Sequence, residues 1–124
     1  MSEFSNFLSP ALIFMLTVAF GFWLRKKGKP YNGLLFNVHK LLALGNVIIT
    51  TVVISRMAEN MHMPIAMIVL LVLAALSVIA LFGTGALMSI EKLDYSLVRM
   101  IHRISIAVLV LVMLLFVSRS GEIL

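Results

Sequence analysis

Uncharged apolar runs divide the chain into four. Phe4 to Leu24 gives 21 successive positions without a charged side chain, and Pro64 to Ile90 gives 27. Both exceed the roughly 20 residues an α-helix needs to cross the hydrocarbon core of a bilayer. Two shorter runs, Leu41–Ser55 and Ile104–Ser118, hold 15 residues each. They reach spanning length only when extended back through His39 and Lys40, and through His102 and Arg103. The pattern predicts helices at about 4–24, 32–56, 64–90 and 95–118. Pro30 and Pro64 suit helix starts, and Asp94 suits the N-cap of the fourth helix. The expected fold is all-α: a polytopic four-helix membrane bundle, up-down-up-down, forming a single domain over residues 1–124.

Composition sharpens this. Of the 124 residues, 62% are apolar and 12% charged, with a mean hydropathy of +1.14; soluble domains run at about 45–50% and a quarter. A water-soluble enzyme, a nucleic-acid binder and a disordered tail are excluded as readings, although the net charge is +5 and the pI about 10.1. The basic charge has a topological explanation, because positive loops stay on the cytoplasmic side. Arg25, Lys26, Lys27, Lys29, Lys40, Lys92, Arg99 and Arg103 fall at one end of the spans, with only Glu91 and Asp94 beside them. The other end holds Arg56 and Arg119 against Glu3, Glu59 and Glu122. Both termini are therefore expected outside, in a bacterium across the inner membrane. No base precedes the first apolar run, so a cleaved signal peptide is not expected. With no cysteine, thiolate metal sites, disulfides and covalent haem attachment are ruled out.

A tandem pattern lies beneath the hydropathy. The second span reads Tyr31, His39-Lys40, Ser55-Arg56, and the fourth reads Tyr95, His102-Arg103, Ser118-Arg119. Histidine and arginine are 17 residues apart in both, or about 25 Å along a helix. An offset of 63 superposes the halves and predicts parallel repeats. His39 and His102 are then expected at one depth near the inner edge of the membrane, on parallel helices facing across the core.

Polar ionisable groups inside a span are costly and mark function. Two imidazoles at one level point to axial ligation of one noncovalent haem b, with His39 and His102 as metal ligands. Arg99, one turn before His102, with Lys40 and Arg103, would bind the propionates. Ala43 and Ser105 are small and leave room beside the imidazoles, Phe36 packs at the edge, and Asn46 is a hydrogen-bond donor to the cofactor or to a quinone. Against this stands an interfacial reading, in which the histidines and their basic neighbours are helix ends that snorkel to the headgroups. Zinc is disfavoured for want of a third ligand at that level. His62, between Met61 and Met63, reads as an exposed loop residue, with an outer copper site as the sharper alternative. Asn46 also suits interhelical hydrogen bonding, and Gly45, Gly83 and Gly85 with Ala80 and Ala86 suit close helix approach. Met88 and Met113 read as core filler, and Trp23, Tyr31 and Tyr95 as an aromatic belt.

His39 and His102, paired on the second and fourth of four spans, resemble the ligand pattern of small bis-histidine b-type membrane cytochromes. The cytochrome b561 group is similar in placing histidines on parallel helices of a four-helix core. That group carries two ligand pairs and two haems, and the second pair is missing here. The resemblance implies a one-haem electron-transfer subunit rather than a self-contained enzyme, working with a redox partner protein or quinone, as a homo- or hetero-oligomer, and with no nucleic acid. The competing reading is a cofactor-free small integral membrane protein, either an assembly subunit or a small transporter or channel. Small multidrug exporters have similar span counts but depend on a carboxylate in the first span, and Phe4–Leu24 contains none. Fluoride-channel-like proteins are similar in length, without a matching pore motif here.

Overall fold

The computed structural model describes residues 6–27, 33–60, 62–90 and 94–123, with side chains as far as Ser120. It contains four α-helices and, among the described residues, no strand: α1 (Leu8–Lys27), α2 (Gly33–Asn60), α3 (Ile65–Ser89) and α4 (Tyr95–Ile123). Each is long and apolar enough to cross a membrane. The protein is therefore an all-α, four-span integral membrane protein in contact with the lipid bilayer. Glu3, Phe4, Lys29, Pro30, Tyr31, Met61, Glu91 and Lys92 lie outside the described residues, as does the side chain of Glu122.

The helix ends follow from local chemistry. Pro10 occupies the first turn of α1, where its missing N–H leaves no helix bond unmade. Arg25, Lys26 and Lys27 fill the last turn, favourable against the negative end of the helix dipole. Pro64 is the N-cap of α3 rather than its first helical residue, with φ −68° and ψ 158°. Its carbonyl accepts from the N–H groups of Met67 and Ile68 at 3.0 and 3.2 Å. Asp94 caps α4 as its sequence position suggests: its Oδ1 accepts from the Ser96 N–H at 3.0 Å. Two helices outrun their apolar cores. α2 continues four residues past Arg56 to Asn60, and α4 continues past Arg119 to Ile123. Leaving the hydrocarbon does not oblige a helix to stop, since its backbone bonds are internal; no proline interrupts either extension.

The chain divides into two compact units, Met1–His62 and Met63–Leu124. Each is a helical hairpin: α1 packs on α2 in the first, and α3 on α4 in the second. The division falls one residue from where the 63-residue offset places it. The second helix of each hairpin keeps the repeat in its packing. Leu35 and Val98, 63 apart, are both buried, and so are Met57 and Ser120. The first helices do not: α1 buries Pro10, Thr17 and Leu24, seven residues apart, whereas α3 buries Met67, Ala74, Ser77 and Thr84. Small hydroxyl residues in these seams allow close helix approach, the usual packing device where lipid removes any hydrophobic drive between helices. Outside the seams, large apolar side chains such as Met15, Phe22, Leu34, Ile65, Ile79 and Leu114 are exposed. Such surfaces suit acyl chains rather than water.

Candidate functional site

The two histidines that stand out in the sequence are turned into their own hairpins, not out to lipid. In the first hairpin, His39 lies in the second turn of α2 and is half-buried. Its Nδ1 lies 2.8 Å from the main-chain carbonyl oxygen of Thr17 on α1. In a helix the carbonyl of residue i points toward residue i+4, whose side chain normally covers it. Here residue i+4 is Gly21. A methyl group built on Gly21 would stand 2.7 Å from His39 Cε1, 3.2 Å from Nδ1 and 3.4 Å from Nε2. The absent side chain is what admits the imidazole to the Thr17 carbonyl.

The second hairpin reaches the same result by another route. His102, also half-buried in the second turn of its helix, has Nδ1 2.7 Å from Thr84 Oγ1 on α3. That hydroxyl lies 2.7 Å from the Ala80 carbonyl and 3.3 Å from that of Leu81. Thr84 precedes His102 by 18 residues, as Gly21 precedes His39. Ala80 likewise stands 63 residues after Thr17. The imidazole thus contacts the i−4 carbonyl directly where the equivalent position is glycine, and through a hydroxyl where it is threonine. Thr84 is 8% exposed, so this relay sits inside the hairpin.

These contacts fix the ring protons. A carbonyl oxygen only accepts, so His39 Nδ1 must carry the hydrogen. The Thr84 hydroxyl has one hydrogen, directed at the Ala80 carbonyl, so it accepts from His102 Nδ1–H. In the neutral state both rings are Nδ1–H tautomers and Nε2 holds the lone pair. An imidazole in that form can give Nε2 to a metal, with the ring oriented by its other nitrogen. Among the described residues, no group of three or more His, Asp or Glu side chains is arranged to hold a metal ion on its own.

Comparison with protein-family models, with curated proteins and with solved structures finds no match to this chain. The site rests on its own geometry.

The other candidate residues take varied positions. Lys40 is exposed, with Nζ 5.4 Å from the centroid of the Phe36 ring; Phe36 is thus tied to the cation as well as being one turn from His39. Arg99 is half-buried, its guanidinium 5.6 Å from the Tyr95 ring centroid. Arg103 is exposed and Ala43 half-buried. Ser105 is buried, packed into its hairpin rather than standing beside an open space. Asn46 Oδ1 lies 3.4 Å from Thr50 Oγ1 on the next turn of its own helix, a long contact by hydrogen-bond standards. His62 is exposed between α2 and α3, and its neighbour Met61 lies outside the described residues. Trp23 is 48% exposed, with Lys27 Nζ 5.9 Å from its ring centroid. Gly85 faces His102, a methyl there standing 3.8 Å from Cε1, but Gly45 and Gly83 have no atom within 4 Å of one. Those two glycines therefore do not mediate close approach within their hairpins.

Sequence reasoning missed Thr17, Gly21 and Thr84. The repeated interval of 18 residues from Gly21 and Thr84 to the histidines was the available signal. It pairs unlike residues, so a search for identities passes over it.

Proposed function

We propose that this protein is a membrane b-type cytochrome that carries one noncovalent haem b, with His39 and His102 as axial ligands, one from each hairpin of a single four-span domain. The observation that carries the reading is the shared tautomer: two unlike hydrogen-bond arrangements leave the same nitrogen, Nε2, as the donor atom. That convergence suits ligation, which needs Nε2 in both rings, better than generic packing, which has no need of either tautomer. When bound, the haem supplies a one-electron centre whose axial positions are both taken. The chain's own residues then hold rather than react. The Thr17 carbonyl and the Thr84 hydroxyl keep each ring proton on Nδ1 and aim the ring. Lys40, Arg99 and Arg103 supply cations for propionates, in charge-assisted pairs. Ala43, Ser105, Phe36 and Asn46 line the neighbourhood on the same helices. The protein would act as an electron-transfer subunit facing a redox partner protein or quinone, in a homo- or hetero-oligomer. Its basic helix ends would be cytoplasmic and its termini outside, in a bacterial inner membrane.

A second reading has its own observation. Each histidine bond already ties the two helices of its hairpin, so the imidazoles could serve a cofactor-free membrane protein as interhelical clamps. A reduced-minus-oxidised visible spectrum of the protein in mild detergent separates the two. A cytochrome gives a sharp α band that is lost in both His39→Ala and His102→Ala. A colourless protein that takes up no added haemin favours the clamp reading.

A further inference from the structure

We infer that Thr84 is a positioning residue for His102, the one side chain that decides which ring nitrogen carries the proton, while in the first hairpin the main chain does this work. The inference concerns hydrogens within one hairpin; only its consequence for ligation rests on the cytochrome reading above.

The argument starts from the count of donors and acceptors at Thr84. Its hydroxyl has one hydrogen and sits 2.7 Å from both the Ala80 carbonyl and His102 Nδ1. Were the hydroxyl to donate to Nδ1, two acceptor oxygens would face each other at 2.7 Å without a hydrogen between them, a repulsive arrangement in a site sheltered from water. The hydrogen therefore goes to Ala80, and the lone pair faces Nδ1–H. Thr84 acts as an extension of the Ala80 carbonyl. The first hairpin supplies an internal control: at the equivalent position Gly21 adds no side chain, and His39 reaches the Thr17 carbonyl itself. His39 is thus insensitive to side-chain substitution on α1, provided Gly21 stays small, whereas His102 depends on one hydroxyl.

The contrast yields an unusual ordering of variants. Thr84→Ser keeps the hydroxyl and should behave as wild type. Thr84→Val keeps the shape and removes the acceptor, so His102 Nδ1–H loses that partner and the Nε2–H tautomer becomes populated. Thr84→Gly removes more of the side chain yet should restore the wild-type tautomer, because the opened space lets His102 bond the Ala80 carbonyl as His39 bonds that of Thr17.

The test is the pair of ring ¹⁵N chemical shifts of each histidine in the full chain, haem-free in detergent micelles, at a pH where imidazole is neutral. Exposed His62 is the reference for an unconstrained ring. The expected result is an Nδ1–H pattern for His39 in every variant, and for His102 in wild type, Thr84→Ser and Thr84→Gly but not Thr84→Val. A His102 pattern unchanged in Thr84→Val overturns the inference. A Thr84→Gly pattern like that of Thr84→Val overturns the view that Thr84 stands in for the Ala80 carbonyl. Haemin titration is the second readout: loss of the orienting bond should weaken binding about tenfold or more in Thr84→Val, with Thr84→Ser unchanged. If the shifts follow the expected order while no variant, wild type included, binds haemin, the cytochrome reading fails and the assignment of Thr84 stands.

Discussion

The two hairpins solve one problem with different parts. Both bring a half-buried histidine from the second turn of one helix onto the preceding helix, and both leave its Nδ1 hydrogen bonded. The first uses an absence, Gly21, to expose a main-chain carbonyl; the second uses a hydroxyl to carry that carbonyl's function outward. The second helices of the hairpins have kept equivalent buried positions, Leu35 with Val98 and Met57 with Ser120, while the first helices bury different ones. A retained ring orientation over a changed support suggests that the orientation, rather than any particular contact, is what the hairpin must preserve.

The sharpest way to break this comparison is to add one methyl group to each hairpin. Gly21→Ala places a carbon 2.7 Å from His39 Cε1, so the ring must move and its bond to Thr17 is lost. A buried hydrogen bond left unmade costs about 1–3 kcal/mol, offset by up to about 1 kcal/mol from replacing glycine within a helix. Net destabilisation of about 1–2 kcal/mol is expected, along with loss of any haem band. Gly85→Ala puts its methyl at an ordinary 3.8 Å from His102 and should be neutral or stabilising by up to about 1 kcal/mol. Unfolding of both variants in detergent checks the pair. Equal effects would refute the special role of Gly21.

A smaller effect belongs to the start of the second hairpin's histidine helix. Asp94→Ala removes the oxygen that accepts from the Ser96 N–H and should cost about 1 kcal/mol. Because this cap is two turns from His102, the ¹⁵N shifts of the ring should not change. A change there would mean that the hairpin sets His102 through helix position rather than through Thr84.

Smaller again are the cations at the same ends of the histidine helices. Lys40 lies over Phe36 in the first hairpin and Arg99 over Tyr95 in the second. Lys40→Met and Arg99→Met should each cost about 0.5–1 kcal/mol from the lost ring contact. If the cations also serve haem propionates, both variants weaken haemin binding without altering either ring's tautomer. Stability losses without any change in haemin titration would limit them to packing.

How much of this was legible beforehand varies with the kind of signal. Transfer energetics are coarse and additive along the chain, so the four spans emerged from apolar runs within about four residues of the observed starts and ends. Asp94 was readable because capping is local. His39 and His102 were conspicuous as costly groups within spans, and their common spacing to Arg56 and Arg119 marked the repeat. Their hydrogen-bond partners were not readable, because they come from the other helix of each hairpin. The Thr17 contact uses a carbonyl that every residue possesses, and Gly21 contributes by having no side chain. The continuation of α2 to Asn60 and α4 to Ile123 was missed for a related reason: hydropathy senses where the membrane ends, whereas a helix ends where its backbone bonding does.

The smallest expected effect is also the most discriminating. Thr17 and Thr84 are both buried threonines that border a histidine, yet only Thr84 acts through its side chain. The Thr17 hydroxyl donates to the Ile13 carbonyl at 2.8 Å, along its own helix, and His39 takes the Thr17 main-chain oxygen. Thr17→Val removes a hydroxyl but not that oxygen. Ile13 keeps the helical bond from the Thr17 N–H, and bonds of the i−4 type from threonine contribute little or slightly destabilise a helix. Stability should stay within about 0.5 kcal/mol of wild type, and the ¹⁵N shifts of His39 should be unchanged, in contrast to those of His102 in Thr84→Val. A His39 tautomer that responds to Thr17→Val would mean that both hairpins work through hydroxyls, and the distinction between a main-chain and a side-chain support would be lost.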